Sequence, residues 1–198
     1  MNSVELIHFS LGLAFEHLEH LVGDLTQEQA DWVPPGNANP VGALYWHIIG
    51  YCDQIVHEWF MEPFLDLTIE EWFEAKRTKR DLAMGQAPLR HSAGWQEKVV
   101  LALPPENLED PYWDVRAIRE GLRVDLPALH DYAQATAKTL QGWVASLTPE
   151  DLERSIPTPI GDYKLGPYLE FFIIWHINVH CGEISAVKGC QGLKGYPW

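Results

Sequence analysis

Apolar residues along the chain recur at spacings of three and four, which is the period of a helix that buries one face. In the first segment this apolar stripe extends from Leu11 to Leu25, and the helix is expected to end near Asp24. Alternating β-branched runs bounded by Asn-Gly or Asp-Gly turns are absent, so strand signals are sparse. The pattern predicts an all-α protein.

The same spacing predicts three more long helices. The second has Asn39 as its cap and Pro40 in its first turn, and it stops before Pro63. The third covers about residues 126–147, and the fourth about residues 167–188. Four helices of this length, joined by loops, predict a four-helix bundle.

Two stretches fall outside the four predicted helices. Residues 63–113 predict a short helical excursion between helices two and three, and residues 157–166 predict a loop before helix four. Because 198 residues are enough to bury one substantial core, we expect a single domain over residues 1–198.

Composition narrows the class of protein. Hydrophobic residues make up 46% and charged residues 21%, which is typical of a globular chain and not of a disordered one. The formal net charge is −14, and no large Lys/Arg cluster offsets it. Since phosphate backbones require concentrated cationic surface, we expect no nucleic-acid partner.

The cysteines and the apolar runs bear on the compartment. Cys52, Cys181 and Cys190 are an odd number with no CxxC spacing, so a disulfide framework is not expected. The first twenty residues lack the features of a signal peptide, and the apolar run 169–177 is far shorter than the ~20 residues of a membrane span. We therefore expect a cytoplasmic protein with no membrane contact.

His176 and His180 are the residues that point to chemistry. A separation of four places their side chains one turn apart on one helix face, as two ligands of one metal ion require. They share that face with the apolar stripe of helix four, where a buried imidazole needs a partner for each nitrogen. The alternative is a pair of core histidines hydrogen-bonded to polar groups of the bundle.

His47 favours the metal interpretation. It stands at the edge of the apolar stripe of helix two and can face the centre of the bundle. Its neighbours Trp46 and Ile48 repeat the Trp-His-Ile order found around His176, which suggests that helices two and four are equivalent partners. Three protein ligands leave a coordination position open, the pattern of a catalytic rather than a structural site.

Other residues near these histidines are candidates for the site. Glu183, one turn beyond His180, is a fourth ligand, an orienting group, a general base, or a surface carboxylate paired with Lys188 or solvent. Tyr51 and Gln54 follow His47 on its side of the helix and are candidates to line the pocket, although core packing explains Tyr51 equally well.

These residues carry a family resemblance. The stretch NPVGALYWHIIGYCD, the stretch WHINVHCGEISAVKGCQGLKG and the four-helix layout resemble the DinB-like superfamily of metal-binding proteins, over nearly the whole chain. The resemblance implies a bundle, often a homodimer, with a three-ligand site for one divalent ion such as zinc or nickel. The positions that match its ligands are His47, His176 and His180.

The resemblance also implies a reaction class. Family members with assigned activities include thiol-dependent enzymes, namely bacillithiol transferases and mycothiol-dependent maleylpyruvate isomerases. The latter carry Glu where this chain has His176, which argues against that activity here. A low-molecular-weight thiol cofactor would be anionic, and Arg119 and Arg123 are the candidates to bind it, with solvated surface arginines as the alternative.

Three functions remain in competition, and one of them is an interaction bundle in which the histidines are structural. The first is a metal-dependent enzyme in which the ion activates a small thiol or water, giving an S-transferase or a hydrolase that acts on a small molecule. The second is a non-catalytic metal-binding protein of the stress response. Imidazole ligands do not by themselves identify the ion.

Overall fold

The computed structural model of the protein describes residues 1–55, 95–102, 121–158 and 161–196. Most of these residues are helical, so the prediction of an all-α protein is confirmed. The described helices are α1 (Ser3–Val22), α2 (Gln27–Asp31), α3 (Val41–Ile55), α4 (Trp95–Val99), α5 (Leu126–Ala145), α6 (Pro149–Leu152), α7 (Leu165–Tyr168) and α8 (His176–Cys190). A π-helical segment, Leu169–Trp175, joins α7 to α8 without a break.

Two small antiparallel sheets accompany the helices. Strand β1 (Val100–Ala102) pairs with β2 (Arg123–Val124), and β3 (Ser155–Thr158) pairs with β4 (Gly161–Lys164). The second pair lies where the sequence predicted a loop, so that prediction is wrong. Strands of only four residues, one of them interrupted by proline, are too short to show an alternating pattern.

The helix starts follow local chemistry. The Asn2 side chain accepts the backbone N–H of Glu5, whose carboxylate accepts the N–H of Asn2 in return. At the start of α5 the Asp125 carboxylate accepts the N–H of Ala128, as the sequence suggests. The expected cap of α3 is wrong: Asn39 Oδ1 is buried and has no hydrogen-bond partner among the described residues.

Helix packing brings α3 against α8. Helix α1 packs against both α5 and α8, while α3 packs against α2, α5 and α8. From Val41 to Asp53 every residue of α3 is buried except His47 and Tyr51, which are half-buried. These two side chains therefore lie on the least covered side of an otherwise enclosed helix, and they contact residues of α8.

The excursion predicted over residues 63–113 falls mostly outside the described residues. Its described part includes α4, which packs on α5 through the stacked rings of Trp95 and Tyr132, 5.3 Å apart between centroids. Across the described ranges, no helix is both long enough and apolar enough to cross a membrane.

A buried lysine ties the end of α1 to α8. Lys188 is 2% exposed, and its ammonium donates to the Leu21 carbonyl and to Asp24 Oδ1, each at 2.6 Å. The carbonyl belongs to the last turn of α1, where helix carbonyls lack partners within the helix. The Asp24 side chain is 68% exposed, so the ammonium is buried on one side and neutralised at the surface on the other.

We expect Lys188→Ala to lower the free energy of unfolding by about 2 kcal/mol, because it leaves a buried carbonyl without its charged donor. The matched variant Asp24→Asn keeps an oxygen acceptor at the surface and is expected to cost less than about 1 kcal/mol. Urea unfolding of both variants measures the difference. Equal losses in the two would show that the ion pair, and not the carbonyl contact, is the stabilising part.

Candidate metal centre

Three imidazoles converge where α3 meets α8. His47 Nε2 and His180 Nε2 each lie 3.1 Å from His176 Nε2. All three ligand atoms lie within 4.8 Å of one another, and all three side chains are half-buried. The structure thus brings together the residues that the sequence selected as ligands, and we refer to His47, His176 and His180 as the three-histidine cluster.

The donor set of this cluster fits a divalent cation. His176 Nε2 has either one N–H or one lone pair, and neither can serve two neighbouring nitrogens with good geometry. A cation between the rings accepts all three lone pairs at once. Nitrogens about 2.1 Å from a tetrahedral ion lie about 3.4 Å apart, close to the separations in the cluster. The geometry therefore satisfies what a three-histidine metal site requires.

The cluster is also held in the protonation state that a metal needs. Burial, together with the neighbouring His180, lowers the pKa of His47 to about 4. Burial, together with the neighbouring His180 and His47, lowers the pKa of His176 to about 3. Both imidazoles are neutral at physiological pH, so neither has to release a proton before binding an ion.

Tyr51 forms one wall of the cluster. Its ring lies 4.2 Å from the His176 ring and 6.2 Å from the His47 ring, measured between centroids. Its hydroxyl hydrogen-bonds with Tyr168, and burial raises its pKa to about 12, so Tyr51 is a neutral phenol. Sequence reasoning selected Tyr51 but missed Tyr168, because the hydrogen bond between the two depends on how their helices pack and leaves no signal in residue spacing.

Glu183 contacts the outer side of the cluster. Its Oε2 lies 2.5 Å from His180 Nδ1, the ring nitrogen opposite the one that faces the other histidines. The suggested pairing of Glu183 with Lys188 is wrong, because Lys188 is buried against the end of α1. Of the interpretations left open by the sequence, this contact favours the orienting group.

The other predicted pocket residues are placed less directly. Gln54 belongs to α3, but its side chain lies outside the described part of the structure, as does Arg119 altogether. Arg123 lies in β2, where its guanidinium donates to the Leu122 carbonyl at 2.8 Å. No described contact joins Arg123 to the three-histidine cluster.

The cysteines take no part in the cluster. Cys52 and Cys181 are fully buried, and burial raises the pKa of the Cys181 thiol to about 12 and that of Cys52 still further above its ordinary value. Cys181 follows His180 in sequence but faces the core, as the helical geometry predicts. Cys190 is exposed at the end of α8.

The comparison with known families agrees with this geometry. The family model of the DinB superfamily matches residues 11–184, which is most of the chain and includes the three histidines. The protein belongs to the DinB superfamily. The resemblance inferred from the motifs is thereby confirmed.

A solved structure shares the fold. A conserved protein of Enterococcus faecalis superposes with a TM-score of 0.63, at 19% sequence identity, over 96% of this chain and 97% of its own. At that identity the likeness shows the fold alone. No curated protein matches the chain in sequence.

In the metal-free protein, we expect stability to decrease as the pH falls from about 6.5 towards 4. The unfolded imidazoles bind protons over this range while the folded ones at His47 and His176 stay neutral, so the unfolded state gains protons and is favoured. Urea unfolding across this range, with chelator present, measures the effect. The variant His47→Gln/His176→Gln serves as control, and an equally steep loss in it would contradict the assignment.

We expect iodoacetamide to modify only Cys190 in the folded protein, because a thiol must be accessible and deprotonated to react. Mass spectrometry of peptides from folded and urea-unfolded samples measures the sites. The Cys190→Ser variant is expected to remain unmodified until it is unfolded. Labelling of Cys181 in the folded state would mean that the side of α8 beside the metal ligands opens to solvent.

Proposed function

We propose that this protein is a single-domain four-helix bundle, over residues 1–198, that binds one divalent metal ion through its three-histidine cluster. The bundle consists of α1, α3, α5 and the continuous helix ending in α8, with the predicted excursion between the second and third. The observation that supports the ion is the convergence of three Nε2 atoms from two helices, with two separations of 3.1 Å. Zinc or nickel suits an all-imidazole donor set.

We further propose that the ion serves an enzyme. Three protein ligands would leave a coordination position open, and a divalent ion held there would supply Lewis acidity towards a small thiol or water. The chain's own contribution is to hold three imidazoles in place, to enclose His176 behind the Tyr51 ring, and to orient His180 through Glu183. With a thiol as cofactor the reaction is an S-transfer to an electrophile, and with water it is a hydrolysis.

The remaining elements of the proposal concern partners. A small-molecule substrate and a low-molecular-weight thiol would bind at the mouth of the site, where Tyr51, Gln54, Arg119 and Arg123 are the candidate contacts. The charge of −14 supports a protein without nucleic-acid partners. A cytoplasmic homodimer is the form in which we expect it to act.

We expect untagged protein to bind one divalent ion per chain, and the variant with all three histidines changed to Ala to bind none. Elemental analysis after dialysis, together with titration of Zn²⁺ and Ni²⁺, measures the stoichiometry. His20→Ala is the matched control, since it removes an exposed histidine of α1 that lies outside the cluster. Stoichiometric binding by the triple variant would show that the assigned site is wrong.

Turnover separates the enzyme from its alternative, a non-catalytic metal-binding protein of the stress response. We expect the metal-loaded protein to transfer small thiols to epoxides or halonitroarenes, or to hydrolyse ester substrates, with at least a 100-fold loss in His47→Ala. If wild-type protein binds metal but turns over neither the thiol-transfer substrates nor the esters, the non-catalytic function is favoured. Turnover that survives the triple variant would place the chemistry elsewhere.

A further inference from the structure

The two histidines of α8 differ in the hydrogen bonding of their Nδ1 atoms. His180 Nδ1 lies 2.5 Å from a carboxylate oxygen of Glu183. His176 Nδ1 is buried and has no hydrogen-bond partner among the described residues. The two rings thus present equivalent Nε2 atoms to the cluster while their opposite nitrogens lie in unlike surroundings.

The difference follows from the order of residues along the helix. Glu183 is three residues beyond His180 and reaches its ring from the next turn. The residue in the same relation to His176 is Val179, which offers no acceptor. The Tyr51 ring covers His176, but the Tyr51 hydroxyl hydrogen-bonds with Tyr168.

This asymmetry has a consequence for ligation. A neutral imidazole that binds an ion through Nε2 carries its proton on Nδ1. At His180 that N–H donates to the Glu183 carboxylate, which fixes the ring and makes Nε2 a better donor to a metal. At His176 the same tautomer leaves a buried N–H without an acceptor among the described residues. Metal binding through Nε2 therefore carries the desolvation cost of the Nδ1 N–H group.

The position of Glu183 also limits its role. Its carboxylate is held at the nitrogen that faces away from the cluster, so it cannot ligate the same ion while it makes this contact. The side chain is 51% exposed and its only described partner is His180. Glu183 is therefore placed to act through His180 and not on a substrate.

Resting on the proposed metal site, we infer that Glu183 is a positioning residue that makes His180 the dominant ligand of α8 and leaves His176 as the weaker, exchangeable one. Of the two ligands on α8, His180 would hold the ion more firmly and the His176 imidazole would yield first. An incoming anionic ligand then gains room at the His176 side of the cluster, next to Tyr51.

The test compares metal affinities, using Co²⁺ absorption spectra and Zn²⁺ competition with a chelating dye. We expect Glu183→Gln to weaken binding by 10- to 100-fold, the range for loss of a carboxylate behind a metal-bound histidine. Glu170→Gln is the matched control, because it removes one exposed acidic charge from the same continuous helix. Among ligand variants, His180→Ala is expected to lose at least ten times more affinity than His176→Ala.

A gain-of-function variant tests the same idea without removing any group. Val179→Glu places a carboxylate in the relation to His176 that Glu183 has to His180, at a position that is 40% exposed and tolerates charge. We expect it to tighten Co²⁺ binding several-fold and to restore part of the affinity lost in Glu183→Gln. Circular dichroism of each variant checks the fold.

The outcomes separate this inference from the proposed function. If wild-type protein binds no ion, both fail. If it binds an ion that the triple histidine variant loses, but Glu183→Gln behaves as Glu170→Gln does, the site stands and the positioning role of Glu183 is wrong. Equal losses in His176→Ala and His180→Ala, with no gain from Val179→Glu, would overturn the unequal ligation.

Discussion

The contact between α3 and α8 at the three-histidine cluster is the constraint on which the site depends. Buried imidazoles are tolerated only when their nitrogens find partners, and here three Nε2 atoms face one another at a single point. Desolvation keeps His47 and His176 neutral, so the cluster does not separate through charge repulsion at physiological pH. Apolar packing on both sides, by Ile48 of α3 and Ile177 of α8, holds the nitrogens together.

The backbone contributes through the π-helical segment before α8. This segment connects Tyr168 to His176, which lies eight residues further along the chain. Both then contact Tyr51, one through its hydroxyl and the other through its ring. A π-helix is less favourable than an α-helix, and its position next to a candidate ligand agrees with the frequent occurrence of such segments at functional sites.

Sequence spacing predicted the three histidines that the structure brings together, because His176 and His180 obey the helical period and His47 borders an apolar stripe. The separation of four residues was enough to select His176 and His180 as candidates. The position of His47 at the edge of an apolar stripe was enough to select it as the third. What could not be predicted depends on contacts between elements. Strands β3 and β4 are too short to show an alternation of apolar and polar residues. Glu183 contacts His180 and not Lys188 because the Lys188 ammonium is bound at the end of α1.

The Trp-His-Ile order occurs twice in the sequence, but the two tryptophans lie in different surroundings. Trp46 is 6% exposed and lies in the core beside Tyr132, whereas Trp175 is 52% exposed and stacks on Phe171 at the surface. The matched histidines converge although the matched tryptophans do not. The equivalence of the two helices is therefore confined to the ligands and does not extend to the surrounding packing.

Local charge would decide which further ligand a metal ion at the three-histidine cluster favours. Imidazole ligands carry no net charge, so a divalent ion held by the cluster beside the Glu183 carboxylate would leave the site positive. The rest of the chain is strongly acidic, but exposed charges farther than about 8–10 Å are largely screened at physiological ionic strength. An anion therefore responds to the ion and not to the net charge of −14. A thiolate and a hydroxide are both anions, so the same local charge would support S-transfer and hydrolysis alike.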